Sequence, residues 1–335
     1  MAVLTDIFGR KLDYLRISLT DKCNLRCLYC MPKEGVKRLS HAEILTLEEI
    51  ERLAEIMVGL GIQKIRLTGG EPLIRKSILE LVGRLREIPD LKELSLTTNG
   101  TLLGEYAEKL KEAGLDAVNL SLDTLQPDRF LRLTGEDMFR EVRMGIEACQ
   151  KAKLHLKLNC VPIIGINDEE IEAIAAFAQE TGVTVRFIEL MPLGCGALFT
   201  GLDGKEILRR LENKYGSSKR LDPCGLAGEQ DILTGPAELY TFEHYTGTVG
   251  LIRPLSHQFC DRCNRLRLTA EGYLKLCLQY EDGLDLRKPL RSGLTDEGIA
   301  ELIRENVKRK PAAHQFQKAV QRDHIEERKM VQIGG

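Results

Sequence analysis

The sequence predicts an α/β fold: a partial (β/α)6 barrel with a smaller C-terminal α+β extension that closes its open side. Strand-like and helix-like runs alternate through residues 14–190, which is the order of a parallel sheet covered by helices. The six units are fewer than the eight of a closed barrel, so a doubly wound open sheet is the alternative. Polar residues also recur at every second position of the strands, as expected when one face lies away from the covering helices.

The first strand runs over Tyr14–Leu19. Thr46 then caps a helix, because Glu49 stands three residues later and completes a capping box, and Gly59 and Gly61 end that helix. The later units repeat this order. Their strands are Lys64–Thr68, Glu93–Thr97, Ala117–Leu122, His155–Val161 and Thr184–Leu190, and their helices lie near Ile78–Leu85, Tyr106–Ala113, Phe139–Lys151 and Glu169–Gln179.

The chain has 335 residues, enough for one large domain and a smaller one. We expect the barrel over residues 1–215 and a C-terminal domain over residues 216–335. The formal net charge of −2 indicates no basic surface for nucleic acid. No apolar run approaches membrane-spanning length, and the N-terminus lacks the apolar core of a secretory signal. We therefore expect a cytoplasmic protein without nucleic acid or membrane partners.

Three cysteines, Cys23, Cys27 and Cys30, follow the first strand with the spacing C-x3-C-x2-C. Three thiolates on a cubane iron–sulfur cluster leave one iron without a protein ligand, whereas clusters that only transfer electrons normally have four cysteines. Such an iron can bind a small molecule and exchange an electron with it. A structural zinc site is the alternative, but those sites usually pair two half-sites that give four ligands. The spacing therefore favours a cluster with an open iron.

A second group, Cys260, Cys263 and Cys277, again offers three thiolates. Its spacing leaves two interpretations open, which are a second cluster or a zinc site completed by His257 or Cys224. The other cysteines have no paired spacing and are expected to be small buried side chains. They are Cys149, Cys160 and Cys195.

Basic residues recur on the polar phase of the predicted strands: Arg16 on the first, Lys64 and Arg66 on the second, Lys157 on the fifth and Arg186 on the sixth. The covering helices need the apolar phase, so these cations point into the barrel. Cations in a packed interior would be costly unless paired. The pattern therefore predicts a lumen that binds a polyanion such as a triphosphate. The alternative is that some of these residues form surface ion pairs at open edges.

The cysteine loop resembles the signature of the radical S-adenosylmethionine (SAM) superfamily. In that family the open iron chelates SAM, and the reduced cluster cleaves it to methionine and a 5′-deoxyadenosyl radical. The turn Thr-Gly-Gly-Glu-Pro at 68–72 matches the family's SAM-contacting motif. The resemblance implies a partial barrel of the radical SAM type with SAM as cofactor. The implied SAM-binding residues are Tyr29, Gly69, Gly70, Glu71, Ser121 and Met191.

Further motifs are similar to those of one family within this superfamily, which cyclises GTP in molybdenum cofactor biosynthesis. They are Leu-Thr-Thr-Asn-Gly at 96–100, Cys-Asp-Arg-Cys-Asn-Arg-Leu-Arg-Leu-Thr at 260–269 and the final Gly334-Gly335. The resemblance implies two [4Fe-4S] clusters and conversion of GTP to 3′,8-cyclo-7,8-dihydro-GTP after removal of the C3′ hydrogen. The implied cluster ligands are Cys23, Cys27 and Cys30, then Cys260, Cys263 and Cys277. The implied GTP-binding residues are Arg16, Lys64, Arg66, Thr97, Lys157, Arg186, Arg265 and Arg267. The implied catalytic set is Cys23, Cys27, Cys30, Arg16, Arg186, Arg265 and Arg267.

The resemblance also implies partners: GTP as substrate, an electron donor protein and a downstream cyclic pyranopterin monophosphate synthase, with a homodimer left open. It implies that the two final glycines extend toward the active site. Two other functions remain as hypotheses. A radical SAM enzyme that modifies a peptide or protein would have a groove of mixed charge, and a non-enzymatic metal sensor would need neither the Gly-Gly-Glu-Pro turn nor the βα units.

Overall fold

The computed structural model describes residues 3–221, 235–316 and 325–334. Within them the strands are β1 Tyr14–Ser18, β2 Lys64–Thr68, β3 Glu93–Thr98, β4 Ala117–Ser121, β5 His155–Cys160, β6 Thr184–Ile188, β7 Ser218–Arg220, β8 Glu238–Phe242, β9 Tyr245–Ile252, β10 Arg265–Leu268, β11 Tyr273–Lys275 and β12 Gly283–Asp285. The helices are α1 Leu47–Gly59, α2 Ile78–Arg86, α3 Leu103–Glu112, α4 Pro127–Thr134, α5 Phe139–Lys151, α6 Ile171–Thr181, α7 Gly204–Tyr215, α8 Arg287–Arg291, α9 Asp296–Val307 and α10 Met330–Ile333.

The described strands form one sheet in the order β12-β11-β10-β1-β2-β3-β4-β5-β6-β9-β8-β7. Neighbouring strands from β1 to β6 are parallel, and helices connect them, which confirms the predicted βα units. Among the strands that the structure describes, β12 and β7 at the two ends do not pair with each other, so this sheet is open. The architecture is therefore a partial barrel.

The C-terminal half of the chain extends the barrel sheet at both edges. Strand β10 pairs in parallel with β1, and β9 pairs in parallel with β6. Antiparallel hairpins then follow at each side, β11–β12 beyond β10 and β8–β7 beyond β9. These added strands cover the two edges that β1 and β6 would otherwise expose. The sequence predicted a smaller β-containing region here but not its pairing with the barrel.

Local signals account for most helix boundaries. Thr46 and Glu49 form the predicted capping box, with the Glu49 backbone N–H donating to Thr46 Oγ1 at 3.2 Å and the Thr46 N–H donating to Glu49 Oε2 at 2.8 Å. Gly61 has the left-handed conformation that follows a helix end (φ +104°). The sequence analysis missed α4, whose start is marked by Pro127 at the first helical turn. No helix within the described ranges has the length and apolar content needed to span a bilayer.

The apolar phase of each barrel strand packs beneath the helices. Leu15 and Ile17 of β1, and Ile65 and Leu67 of β2, are fully buried on this side. The same holds along the other barrel strands for Leu94, Leu96, Val118, Leu120, Leu158, Val185 and Phe187. Because successive side chains alternate across a strand, the polar phase lies on the concave side. This arrangement confirms the inward direction predicted for the basic residues.

Candidate active site

The strand registers bring the predicted cations together inside the barrel. Arg16 on β1 lies opposite one arginine on each of the two neighbouring strands, Arg66 on β2 and Arg267 on β10. Arg265 is in the same phase as Arg267, two residues earlier on β10. Arg186 lies across the sheet on β6. The electrostatic neighbours of Arg186 include Arg66 and Arg265, so the cations of opposite strands face one another.

Polar side chains of the lumen fix individual cations. Arg186 donates from Nε to Asn159 Oδ1 at 3.0 Å and from Nη2 to Asn119. Arg66 donates from Nε to Ser95 Oγ at 3.2 Å. The carboxylate of Glu93 lies beside these groups, with Oε2 3.9 Å from Lys64 Nζ. The remaining predicted member, Thr97, presents a buried hydroxyl oxygen without a hydrogen-bond partner among the described residues.

Burial and mutual repulsion lower the pKa of the lumen cations. Burial and then the positive charge of Arg186 lower the pKa of Lys157 to about 7. Burial and then Arg66 lower the pKa of Arg186 to about 9, and burial and then Arg265 lower that of Arg267 to about 10. The protein therefore holds these groups at an electrostatic cost that an anion in the lumen would relieve.

The first cysteine loop follows the C-terminal end of β1, over the mouth of the lumen. The backbone N–H groups of Cys30 and Met31 both donate to Cys27 O, at 2.9 and 3.0 Å, which folds the loop into a tight turn. Burial raises the pKa of Cys23 to about 11 and that of Cys30 to about 12. Neutral thiols are thus favoured without a cation, and coordination to iron would ionise them. Three soft thiol donors in one loop fit an iron–sulfur cluster with one open iron.

The glycines of the 68–72 turn hold this turn against the cysteine loop. A Cβ at Gly69 would lie 2.7 Å from Thr20 O, and one at Gly70 would overlap Lys22 O. The backbone N–H of Gly70 donates to Thr20 O at 2.7 Å. The sequence predicted that these two glycines let the backbone approach a ligand closely. In the structure they let it approach the backbone of Thr20 and Lys22.

Glu71 braces the same turn from inside. Its side chain is 0% exposed. It accepts hydrogen bonds from Leu73 N at 3.0 Å, Thr98 Oγ1 at 2.8 Å and Asn99 N at 2.8 Å. Burial raises the pKa of this carboxyl to about 7, although these hydrogen bonds oppose the shift. Because the carboxylate already binds protein donors, its direct contact with SAM stays a prediction.

The other predicted SAM-binding residues lie around the same mouth. Tyr29 donates its hydroxyl to Asp123 Oδ2 at 2.6 Å, just beyond the end of β4. Ser121 is the last residue of β4. Met191 follows β6, where a Cβ at Gly196 would lie 2.7 Å from Met191 O and 3.7 Å from Tyr29 O. The loop after β6 therefore packs on the cysteine loop, and Tyr29 is fixed by the carboxylate of Asp123.

The second cysteine group lies at the start of β10, at the opposite end of the lumen. Cys260 and Cys263 form a short turn with a 3.2 Å bond from Cys263 N to Cys260 O. Burial acts to raise the pKa of Cys263, but Lys310 and Arg265 together lower it below its ordinary value. Cys277 lies within electrostatic range of Cys260. The nearby cations would stabilise the negative charge of three thiolates bound to an iron–sulfur cluster, so this site also fits such a cluster.

The zinc alternatives for the second cysteine group needed a fourth ligand, either His257 or Cys224. In the described ranges, no three His, Cys, Asp or Glu side chains converge as ligands of a single ion do. Thiolates of a cubane bind different irons and therefore stand further apart than zinc ligands. His257 Nε2 lies 3.8 Å from Glu238 Oε1 and is half exposed. Cys224, the other suggested fourth ligand, lies outside the described residues.

The C-terminal residues cross the mouth of the lumen. The backbone of Val331 lies close enough to the Cys30 thiol to act against the increase in its pKa. Gly334 has a left-handed φ of +73°, and a Cβ there would lie 2.7 Å from Thr68 Cγ2 and 3.2 Å from Ser18 Cβ. Arg267 Nη1 donates to Gly334 O at 2.9 Å. The tail therefore enters the candidate site, as predicted for Gly334, whereas Gly335 lies outside the described residues.

Comparisons with known proteins agree with this site. The chain matches the radical SAM superfamily over residues 17–178 and Molybdenum Cofactor Synthesis C over residues 183–316. A GTP 3′,8-cyclase from Peptoclostridium acidaminophilum is 44% identical over 335 residues, covering 100% of this chain and 99% of that protein. The chain belongs to the GTP 3′,8-cyclase family. A cyclase of that name from Moorella thermoacetica is 45% identical over 336 residues, covering 99% of this chain and 100% of that protein.

Solved structures agree at the level of the fold. Streptococcus suis SuiB bound to the precursor peptide SuiA gives a TM-score of 0.60 at 16% identity, covering 89% of this chain and 68% of that chain. Identity this low shows the fold alone, and it confirms the radical SAM type of partial barrel. The full-length cyclase relatives do not favour the peptide-modifying alternative. The cofactors of the GTP 3′,8-cyclase family are SAM and [4Fe-4S] clusters, and the enzyme class is a radical SAM lyase.

Several groups of the site were not predicted as functional from the sequence. Lys310 donates from Nζ to Arg265 O at 2.9 Å and to the carbonyl of Leu276, which ties together the strands that flank the second cysteine group. Arg10 donates to Cys260 O at 2.7 Å. These residues lie far apart in the chain and have no motif spacing. Tyr14 is different, because it shares the polar phase of Arg16, and that phase could have identified it.

Proposed function

We propose that GTP binds in the cationic lumen, with its triphosphate on the basic side chains and its guanine toward the second cysteine group. One observation carries this proposal, namely the convergence of buried and partly buried cations from β1, β2, β5, β6 and β10 between the two cysteine groups. Charge-assisted hydrogen bonds are the strongest contacts available to phosphates. The family's conversion of GTP to 3′,8-cyclo-7,8-dihydro-GTP would then take place between the two ends of the lumen.

The chain's own residues prepare this reaction by position. Cys23, Cys27 and Cys30 would hold the first cluster, and the loops around Tyr29 and Met191 would hold SAM beside it. When bound, the cluster and SAM supply the carbon radical that removes the C3′ hydrogen of the ribose. In the family's reaction the C3′–C8 bond would then form, and one electron from the electron donor protein together with one proton from solvent would complete the dihydropurine ring. The basic side chains of the lumen would hold the nucleotide in position for this bond.

Cys260, Cys263 and Cys277 would hold the second cluster at the end of the lumen toward which the proposal directs the purine. Arg265 follows Cys263 by two residues and Arg267 points to the tail, so β10 connects this cysteine group with the phosphate-binding cations. We assign Arg16, Arg186, Arg265 and Arg267 to positioning the nucleotide for the bond-forming step. The mutual repulsion of these groups supports an anionic ligand as their common partner.

The reaction needs further proteins. An electron donor protein would reduce the first cluster, and a cyclic pyranopterin monophosphate synthase would consume the cyclised nucleotide. A cytoplasmic location suits the thiol-rich sites, because reduced cysteines persist in that compartment. A homodimer is also part of this proposal, and size-exclusion chromatography with light scattering tests it.

The test compares GTP with guanosine in charge-removing variants. Lys64→Gln and Lys157→Gln should each weaken GTP binding by about 1.5–3 kcal/mol and leave guanosine binding unchanged, because only GTP offers phosphates. Lys288→Gln is the matched control, since the Lys288 side chain is 83% exposed. Binding is measured by anaerobic calorimetry, and cyclised product by mass spectrometry. Equal losses for both ligands would place these lysines away from the phosphates.

A further inference from the structure

Tyr14 is a buried lumen residue to which the reaction so far assigns no role. It begins β1, opposite Lys64 of β2 and Arg265 of β10. Its side chain is only 7% exposed, and the Arg66 guanidinium carbon lies 5.3 Å from the centroid of its ring. Its hydroxyl is buried and has no hydrogen-bond partner among the described residues. A buried polar atom without a partner requires an explanation.

The surroundings of Tyr14 explain why the hydroxyl has no partner. Arg16, Arg186, Arg265 and Arg267 all lie within electrostatic range of it. A guanidinium donates hydrogen bonds and accepts none, so these groups offer no acceptor for the phenolic proton. Leaving such a hydroxyl unsatisfied destabilises the substrate-free protein. An anionic oxygen placed among the same arginines would accept this proton.

We propose that Tyr14 is a further substrate-binding residue, whose hydroxyl donates a hydrogen bond to a phosphate oxygen of the bound nucleotide. This inference rests on the proposed binding of GTP in the lumen. A phosphate oxygen is a better acceptor than the purine here, because the positive charges of the arginines around Tyr14 attract the anionic part of the nucleotide to this position. The stacked ring also supports Arg66 in the orientation that faces the lumen.

The test uses Tyr14→Phe, which keeps the ring and its stacking on Arg66 and removes only the hydroxyl. In the substrate-free enzyme the thermal midpoint should stay unchanged or rise, because an unsatisfied group is lost. Affinity for GTP, measured by anaerobic calorimetry on the cluster-loaded enzyme, should fall about ten- to a hundredfold. Affinity for guanosine should not change. Iron content and SAM cleavage verify that the variant is intact.

Tyr245→Phe is the matched control. Tyr245 is also 7% exposed, but its hydroxyl donates to Ala175 O at 3.0 Å on the outer side of the sheet. Removing that hydroxyl should lower the thermal midpoint and leave GTP affinity unchanged, which is the opposite pattern. A Tyr14→Phe enzyme with a lower midpoint and normal GTP affinity would overturn the inference. So would equal losses for GTP and guanosine. A wild-type enzyme that binds GTP no more tightly than guanosine would instead refute the proposed triphosphate site.

Discussion

Lys157 should make GTP binding depend on pH. Its side chain is 8% exposed, and burial together with Arg186 lowers its pKa to about 7. At pH 8 only about one-tenth of this side chain is charged in the substrate-free enzyme. A bound triphosphate favours the charged form and raises the pKa again. GTP binding should therefore take up nearly one proton at pH 8, and affinity should fall by up to about tenfold per pH unit above 7.

Folding stability should change in the opposite direction. Between pH 7 and the ordinary lysine value of 10.5, the unfolded chain binds a proton at Lys157 that the folded chain does not bind. The contribution of this residue to the free energy of unfolding therefore increases as pH rises through that window. Raising the pH from 7 to 9 should thus weaken GTP binding. Over the same range, the destabilising effect of Lys157 on the substrate-free fold should decrease.

Calorimetry at pH 8 in two buffers of different ionisation enthalpy measures the proton uptake directly. Lys157→Gln should bind GTP weakly and without this proton. Lys64→Gln should also bind weakly but keep most of the proton uptake, because burial and Arg186, which lower the pKa of Lys157 more than Lys64 does, remain. An affinity that is constant from pH 7 to 9, with no proton taken up by the wild-type enzyme, would refute a phosphate contact of Lys157.

Three further predictions concern the two cysteine groups, the C-terminal tail and the turn that carries Glu71. Cys27→Ser should abolish formation of 5′-deoxyadenosine, whereas Cys263→Ser should still form some 5′-deoxyadenosine but no cyclised product. Equal loss of 5′-deoxyadenosine in both variants would contradict separate roles for the two cysteine groups. Gly334→Ala should displace the tail, because the left-handed backbone conformation costs other residues about 1–2 kcal/mol. The variant should still bind SAM but form little cyclised product. Full turnover would exclude a role for the tail. Glu71→Gln should lower the free energy of unfolding by about 1–3 kcal/mol, measured by chemical denaturation, because the new amide group would face backbone N–H donors. A variant as stable as the wild type would show that the hydrogen bonds of Glu71 are dispensable for the fold.

Strand phase made much of the lumen predictable from sequence. Alternation places Arg16, Lys64 and Arg186 on the face away from the helices whatever the sheet order is. The partners of these groups depend on registers between strands, which no local pattern contains. The phase that Tyr14 shares with Arg16 could have identified it as a residue of the lumen, but not the absence of an acceptor for its hydroxyl among the described residues.

The role of Glu71 shows a different limit. Its motif identified the turn, but the donors of its three hydrogen bonds include Thr98 and Asn99, which lie on the neighbouring strand and beyond it. Motif resemblance gives the position of a residue in a site and not the atoms that it contacts. The prediction for Gly69 and Gly70 had the same limit, since the backbone that approaches them belongs to the preceding loop.

The pairing of β10 with β1 and of β9 with β6 has a consequence for how the chain acquires its structure. Strands made early must wait for partners made much later, and such non-local pairing slows folding. Until then both edges of the six-stranded sheet expose unpaired N–H and C=O groups, which can recruit strands from other molecules. A fragment that stops at the predicted boundary at residue 215 would keep these edges permanently. It should therefore self-associate when expressed alone, and co-expression with residues 216–335 should restore its solubility.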